Sequence, residues 1–337
     1  MSTSTNLDGG RRLGEFASKW PLLLSSFALL LLVNGLPLYS MPFIYREVVA
    51  DMGWTREQVT LIASFKFLTG ASVAILFGSL IDVIGDRRGI VIAAVVHCLA
   101  VTSFLFVDSL ATFYLVGVAM GLSGPAIITG IKTIVSRRFH THQGSAFGMA
   151  LAGTSTAGVI APLLVVQLIE HFDWRATMAL MTTGGWAVAL PLFLYATRGA
   201  MDEEEQVAAA ARRAPGAGRR RLKLAGSMMR EPRFWLIGFS IFLVGAVDQG
   251  IAQHQVLYLQ GDRGLSATLV AAVASGFAIV GVLSKVMFGA IYDRFSIAGI
   301  VAGYMILCID PLLALVVTGP LTAAVFVLTR GVGHGAL

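Results

Sequence analysis

Long apolar runs separated by short polar segments account for most of the chain. A helix that crosses a bilayer needs about 20 mostly apolar residues, and ten runs approach or exceed that length. The pattern therefore predicts an all-α membrane protein. The predicted spans are residues 21–45, 58–82, 88–107, 110–136, 144–170, 174–197, 233–260, 267–292, 297–317 and a last span that begins at 321.

Composition narrows the class of protein. The chain is 56% hydrophobic and 13% charged, whereas soluble domains have about 45–50% apolar and about 25% charged residues. A soluble enzyme, a nucleic-acid-binding protein and a disordered scaffold are therefore poor interpretations. The sequence has no HExxH, GxSxG or P-loop motif, so we expect no enzymatic activity, no cofactor and no metal site.

The positive charges predict the topology. If the N-terminus is cytoplasmic, the inner segments hold 17 Lys and Arg residues and the outer segments hold 4. Such a bias is typical of cytoplasmic loops. It predicts a multi-pass protein of the plasma (inner) membrane with its N-terminus inside, and it accounts for the net charge of +6 without nucleic acid.

One long charged segment divides the chain. Four acidic residues from Asp202 to Glu205 precede a basic run that ends near Lys223. The predicted organisation is a cytoplasmic segment 1–20, a six-helix bundle 21–197, a cytoplasmic linker 198–232 and an incomplete bundle of about four helices 233–337.

The two bundles carry a repeat. Asp82 after span 2 and Asp293 after span 8 are 211 residues apart, and the Gly-rich segments that begin at Gly121 and Gly331 are 210 apart. Two landmarks with nearly the same offset indicate a repeated six-helix unit, which is one of the known transporter architectures.

The segment after span 2 reads Gly78-x-x-x-Asp82-x-x-Gly85-x-Arg87-Arg88. It resembles the signature of the major facilitator superfamily. The resemblance implies a helical bundle of two six-helix repeats that transports a small molecule by alternating access, as a monomer. The family has twelve spans, so about ten of twelve helices are expected here, with the second repeat incomplete and the chain truncated at its C-terminus.

Further stretches resemble the monocarboxylate and oxalate/formate type of transporter. They are Gly53-Trp54-Thr55, Phe139 with the small residues after it, and Asp173-Trp174-Arg175-Ala176. This resemblance implies a small organic anion as the substrate. It also implies a substrate contact at Lys285, because the subgroup often has Arg at that position.

The signature residues are expected to act as a gate. Charges at a cytoplasmic helix end can pair between the two repeats and separate when the repeats rock, and glycines let helices approach closely. The predicted gating residues are Gly78, Asp82, Gly85, Arg87, Arg88, Gly289, Asp293 and Arg294.

Ionisable residues inside spans are costly and mark functional sites. Lys285 is the leading candidate for anion binding, and Asp248, near the midplane, could carry a proton or simply neutralise Lys285. Lys66 is equally compatible with a substrate contact and with a structural role. The pattern favours His254 as a hydrogen-bonded polar group near the outer mouth over a proton relay. The predicted substrate-binding or coupling residues are Lys285, Asp248, Lys66, His254, Asn34, Tyr39 and Arg330.

Other polar and small residues received structural interpretations. Tyr45 is expected at the membrane interface, and Lys132 is expected to extend towards the cytoplasm. Asp310 precedes Pro311 and is expected to satisfy a disrupted helix. Small residues at spacings of three or four predict close helix packing, on span 4 at Gly117, Gly121 and Gly124 and on span 5 at Gly144, Gly148 and Ala152.

These patterns favour a secondary active transporter of a small organic anion, a mono- or dicarboxylate, driven by proton coupling or by exchange. Two alternatives stay open. One is a non-transporting membrane sensor on the same fold, and the other is a transporter of an unrelated small solute. A substrate-uptake assay separates them.

Overall fold

A computed structural model describes residues 18–139, 143–198, 226–227, 229–295 and 297–334. Within its helices, side chains are described except at 73–83, 241, 285, 286, 289, 290, 292, 293, 295 and 297–300. The N-terminal segment 1–17 and most of the predicted linker lie outside the described residues.

The described chain is helical, with helices at all ten predicted spans. Most ends lie within a few residues of the predicted ones, but the first helix continues to Met52, seven residues beyond its predicted end. Long uninterrupted apolar runs locate such helices well. We number them α1 Ser18–Met52, α2 Arg56–Ile84, α3 Asp86–Phe106, α4 Leu110–Arg138, α5 Gln143–His171, α6 Trp174–Ala196, α7 Pro232–Asp262, α8 Ala267–Phe295, α9 Ile297–Leu315 and α10 Pro320–His334.

Seven stretches in the described part of the chain are long and apolar enough to cross a membrane. They are α1, α3, α4, α5, α6, α7 and the first 18 residues of α8. The shorter apolar stretch Val301–Leu315 lies in α9. The protein is therefore an all-α membrane protein.

Local sequence explains several helix boundaries. Gly85 separates α2 from α3 with a φ of 91°, a backbone conformation that glycine adopts without strain. Ser109 caps α4 in a reciprocal capping box with Thr112, and Asp173 caps α6 by accepting a 2.6 Å hydrogen bond from the Ala176 N–H. Side chains of these types satisfy the open N–H groups of a first turn.

Three helices contain π-helical turns, at Leu29–Gly35 in α1, Gly185–Ala189 in α6 and Tyr258–Asp262 at the end of α7. Such turns often occur at functional sites. The first of them contains Asn34, which is buried.

The chain forms two compact units whose division passes through α1 and α5. Of the described residues, unit 1 comprises 18–40, 57–139, 143–157 and 171–198, and unit 2 comprises 41–56, 158–170, 226–227, 229–295 and 297–334. Unit 1 has an apolar core in which Leu29, Ile90, Ile127 and Phe193 are fully or almost fully buried. The predicted bundle boundaries at 197 and 233 stay a prediction.

Glycines bring helices together at matching places in the two units. In unit 1, a Cβ on Gly121 of α4 would overlap the Lys66 carbonyl oxygen of α2. In unit 2, a Cβ on Gly331 of α10 would lie 2.6 Å from Val280 and 3.2 Å from the Phe277 carbonyl oxygen of α8. Lys66 and Phe277 are 211 residues apart, so the packing repeats with the offset found in the sequence.

The predictions for small residues are therefore confirmed on α4 but not on α5. A Cβ on Gly117 would lie 2.5 Å from Ile62 Cγ1, whereas a Cβ on Gly144 or Gly148 would meet no described atom within 4 Å. Gly153 takes their place as the close contact of α5, since its Cβ would overlap the Phe27 carbonyl oxygen.

Candidate functional site

Lys66 lies in the middle of α2 in unit 1, and its side chain is only 6% exposed. The Nζ atom has no hydrogen-bond partner among the described residues. It lies 4.7 Å from the centroid of the Phe67 ring, a contact that weakly stabilises a cation. A buried ammonium without a hydrogen bond is costly, so this arrangement points to a ligand.

A cavity of about 340 Å³ in unit 1 is lined by Lys66 together with residues of α1, α3 and α4. The volume is near the lower end of the range for small-molecule sites, about 300–1,000 Å³. The polar lining side chains are Lys66, Asn34 and His97, and apolar residues such as Leu38, Met120 and Ile128 supply the rest of the wall.

Asn34 and His97 face each other across a glycine. A Cβ on Gly124 would lie 3.0 Å from Asn34 Oδ1 and 3.5 Å from His97 Cε1. The two side chains are 4% and 2% exposed, and Asn34 Nδ2 and His97 Nε2 have no hydrogen-bond partner among the described residues. The cavity thus brings together three polar groups with unused hydrogen-bonding capacity.

This arrangement suits a small anion with an apolar body. Lys66 supplies a positive charge and up to three N–H donors, and Asn34 supplies two more. Burial strengthens their interaction with an anion because the local dielectric is low. The apolar wall would pack against the uncharged part of such an anion.

A second polar cluster lies in unit 2 and joins α7, α9 and α10. Arg330, whose side chain is 1% exposed, lies between two carboxylates: NH2 is 3.3 Å from Asp248 Oδ1 and NH1 is 3.2 Å from Asp310 Oδ2. NH2 also donates a 3.1 Å hydrogen bond to the Asp248 carbonyl. The guanidinium stacks 4.8 Å from the Phe277 ring of α8.

His334 completes this cluster at a more accessible end. Its Nδ1 lies 3.4 Å from Asp248 Oδ1, and its side chain is 26% exposed while that of Asp248 is 5% exposed. Asp310 Oδ1 and Arg330 Nε have no hydrogen-bond partner among the described residues. We call these four residues (Asp248, Asp310, Arg330 and His334) the buried charge cluster.

The buried charge cluster corrects two expectations. Asp248 has a partner other than Lys285, because Arg330 makes an ion pair with its carboxylate, and His334 Nδ1 lies 3.4 Å from the same carboxylate. Asp310 pairs with Arg330 across helices, so its role is not limited to the helix break at Pro311. The Lys285 side chain itself lies outside the described residues.

The remaining predicted residues lie apart from both clusters. His254 is exposed on α7 and makes no hydrogen bond to Asp248 among the described side chains, and Tyr39 is half-buried and does not line the cavity. Lys132 is exposed on α4. Tyr45 is fully buried, contrary to the interfacial prediction, because its hydroxyl donates a 2.8 Å hydrogen bond to Gln253 Oε1.

The predicted gating motif is partly described. Gly85 provides the turn between α2 and α3, Arg87 Nε donates a 3.0 Å hydrogen bond to Thr197 Oγ1, and Arg88 and Arg294 are exposed. The side chain of Asp82 and the surroundings of Gly78, Gly289 and Asp293 lie outside the described residues.

Sequence reasoning missed two residues at the cavity and one ion pair elsewhere in unit 1. His97 lies in an apolar run, where a lone histidine is also compatible with a satisfied core residue. Ser123 has no sequence signal of its own. Asp86 accepts two 2.5 Å hydrogen bonds from Arg137 NH1. That ion pair joins α3 to α4.

The profile of the Major Facilitator Superfamily matches residues 22–337. The chain belongs to this superfamily. Its members act in a lipid bilayer on small-molecule substrates, and the chain is accordingly an integral membrane protein of a transporter family.

The curated relatives of this chain are distant in sequence, at 24–28% identity. Monocarboxylate transporter 13 of Bos taurus is 26% identical over 164 residues, covering 48% of this chain and 38% of that protein. The probable nitrate/nitrite transporter NarK2 of Mycobacterium tuberculosis is 24% identical over 252 residues, covering 73% and 60%. The MFS-type transporter opdF of Penicillium oxalicum is 28% identical over 131 residues, covering 37% and 30%. The chain thus spans about a third to three fifths of the length of these relatives.

Solved transporters share the fold. A bacterial homologue of the human lysosomal transporter Spinster superposes with a TM-score of 0.72 at 15% identity, covering 95% of this chain and 73% of that one. The nucleoside transporter NupG superposes with a TM-score of 0.73 at 13% identity, covering 94% and 79%.

Proposed function

We propose that the protein is a secondary active transporter of a small organic anion, a mono- or dicarboxylate, which works by alternating access. The observation that carries the proposal is the Lys66 ammonium, buried without a hydrogen bond in a cavity that Asn34 and His97 also line. A carboxylate would accept hydrogen bonds from the Lys66 and Asn34 side chains and remove the cost of burying them unpaired.

The names of two relatives support an anionic substrate. One is called a monocarboxylate transporter and another a probable nitrate/nitrite transporter. The fold alone does not favour an anion, because NupG, which superposes equally well, is a nucleoside transporter. The assignment therefore depends on the cavity.

Lys285 of α8 is also proposed to bind a substrate carboxylate, as the family resemblance implies. It lies eight residues before Asp293, which is about 12 Å along a helix. Its ammonium would be too deep to reach the cytoplasm without strain. Arg330 is a weaker candidate for the substrate because two carboxylates already hold its guanidinium.

We propose that the buried charge cluster couples transport to protons. Its described side chains comprise two carboxylates, one guanidinium and one imidazole. A proton on His334 or on a carboxylate would balance the described charges, and its release would unbalance them. Exchange of one anion for another is the alternative mode, and an imposed pH gradient distinguishes them because it accelerates uptake only in the coupled mode.

The gating residues are proposed to act away from the substrate. Asp82→Asn should slow transport without abolishing equilibrium binding, since Asp82 lies at the end of α2 and Lys66 lies four turns before it. Loss of binding in a folded variant would contradict a gating role.

Topology and localisation complete the proposal. The N-terminus and the linker 198–232 are proposed to be cytoplasmic, in the plasma (inner) membrane, and the protein to be a monomer. A reporter fused at Gly216 should be active in its cytoplasmic form. Activity of a reporter that functions only outside the cell would overturn the charge-based topology.

The decisive experiment is uptake of a panel of radiolabelled mono- and dicarboxylates into proteoliposomes. Wild-type protein should accumulate at least one of them above empty liposomes. Lys66→Gln should remove this uptake, whereas the matched control Lys132→Gln should retain it, because Lys132 is exposed on α4.

Other outcomes select the alternatives. Carboxylate binding without uptake would indicate a non-transporting membrane sensor. Uptake that Lys66→Gln leaves unchanged would indicate an unrelated small solute or another site.

A further inference from the structure

The hydrogen bonds around Ser123 determine which nitrogen of His97 carries the proton. Ser123 Oγ lies 2.7 Å from the Ala119 carbonyl oxygen and 2.9 Å from His97 Nδ1. A carbonyl oxygen only accepts, so the single hydroxyl proton of Ser123 belongs to the contact with Ala119. The second contact then requires a proton on His97 Nδ1, which donates to Ser123 Oγ.

The other ring nitrogen of a neutral His97 is therefore a bare acceptor. A neutral imidazole has one N–H and one lone pair in the ring plane, so Nε2 carries the lone pair. His97 is 2% exposed, and Nε2 has no hydrogen-bond partner among the described residues.

The cavity thus presents two kinds of unsatisfied group. Lys66 Nζ and Asn34 Nδ2 are donors, and His97 Nε2 is an acceptor. A plain carboxylate satisfies the donors but leaves the acceptor unpaired, because an ionised carboxylate has no proton to donate. A ligand that carries a hydroxyl near its carboxylate satisfies both.

We propose that this site selects hydroxycarboxylates, with the carboxylate bound by Lys66 and Asn34 and the hydroxyl donating to His97 Nε2. This proposal rests on the proposed anion-binding function, and it adds that the cavity recognises a hydroxyl group near the carboxylate of the anion. A site with a buried polar group built to pair with a ligand hydroxyl rejects the analogue that lacks it.

Two acids of nearly the same shape test the proposal. 2-Hydroxyisobutyrate and pivalate differ by a hydroxyl in place of a methyl group. Their binding to the purified chain in detergent can be measured at pH 7.5 from the concentration dependence of the thermal unfolding midpoint, with sodium chloride as the ionic-strength control. We expect 2-hydroxyisobutyrate to bind about 10-fold more tightly or better.

Variants of the two residues separate recognition from packing. His97→Phe keeps a ring but removes the acceptor, and it should reduce the preference to within about 2-fold. Ser123→Ala removes the hydroxyl oxygen that accepts from His97 Nδ1, so the proton is no longer held on that nitrogen. This variant keeps the His97 ring and should bind 2-hydroxyisobutyrate over pivalate with a smaller preference than the wild type. His171→Phe, at the exposed end of α5, is the matched control and should keep the wild-type preference.

The results distinguish this proposal from the one on which it rests. Equal affinity of wild-type protein for both acids, lost in Lys66→Gln, would overturn the hydroxyl selection and leave the anion site intact. Binding of neither acid would overturn the anion site as well. A preference that His97→Phe and Ser123→Ala both retain would show that another group reads the hydroxyl.

Discussion

Replacing Arg330 with methionine should be among the most destabilising single changes in unit 2. The guanidinium is 1% exposed and makes ion pairs of 3.3 and 3.2 Å with Asp248 and Asp310. Methionine has a similar length but no charge, so the variant leaves two buried carboxylates without their shared cation. Breaking a buried pair by removing one partner costs about 3–5 kcal/mol.

The structure indicates where in this range the result should lie. Arg330 also donates to the Asp248 carbonyl at 3.1 Å, which adds to the loss. His334 Nδ1 remains 3.4 Å from Asp248 Oδ1, and this contact reduces the loss. We expect a loss of about 3–4 kcal/mol in the free energy of unfolding at pH 7.5.

The measurement is equilibrium unfolding in mixed dodecyl maltoside and SDS micelles, followed by circular dichroism. The double variant Arg330→Met with Asp310→Asn should recover part of the loss, since one unpaired charge is removed. Arg56→Met is the matched control. Its ion pair with Asp262 is about half exposed on both sides, and such pairs contribute about 0–1 kcal/mol.

The reasoning is refuted if Arg330→Met unfolds no more easily than Arg56→Met. It is also refuted if the Asp310→Asn change destabilises the Arg330→Met background further, because the remaining charge would then not be the source of the cost.

Three further predictions use the same purified protein. Gly121→Ala should lose about 1–3 kcal/mol of unfolding free energy, because its Cβ would overlap the backbone of α2, whereas Gly148→Ala should stay within about 0.5 kcal/mol; equal effects would contradict the packing. Tyr45→Phe should lose about 1–3 kcal/mol by leaving buried Gln253 Oε1 without its donor, and an unchanged unfolding curve would argue against that bond. Lys285→Gln should reduce uptake of a carboxylate and Lys285→Arg should retain more of it; uptake that both variants keep would remove Lys285 from the site.

The helices could be predicted from the sequence because each long apolar run has only one stable state in a bilayer, a helix with its backbone hydrogen bonds satisfied internally. The turn at Gly85 and the charge pattern of the loops are also local. The internal repeat also predicted one feature of helix packing, since Gly121 and Gly331, which occupy matching positions in the repeat, make equivalent helix contacts.

Contacts between helices were beyond such reasoning. Asp248 was recognised as a deep acid, but the sequence offered Lys285 as its counter-ion, and the structure gives Arg330. Spacing along one helix determines which residues share its face, but not the rotation of that helix against its neighbours. Tyr45 was misplaced for the same reason, because its partner Gln253 is 208 residues away.

His97 illustrates a different limit. A lone histidine in an apolar run is equally compatible with a satisfied core residue and with a ligand-binding group. The difference depends on whether each ring nitrogen has a partner, which only the arrangement of α1, α3 and α4 around the cavity reveals.

The glycine contact that occurs at Gly121 and again at Gly331 has a consequence for how such a duplicated protein can diversify. The contact is made with backbone atoms of Lys66 in one copy and of Phe277 in the other, so it places no demand on the side chains at those two positions. One copy was free to hold a lone ammonium there, and the other an aromatic ring that packs against Arg330. At these two positions the backbone keeps the shared helix packing, and the side chain can change to give each repeat a different chemical group.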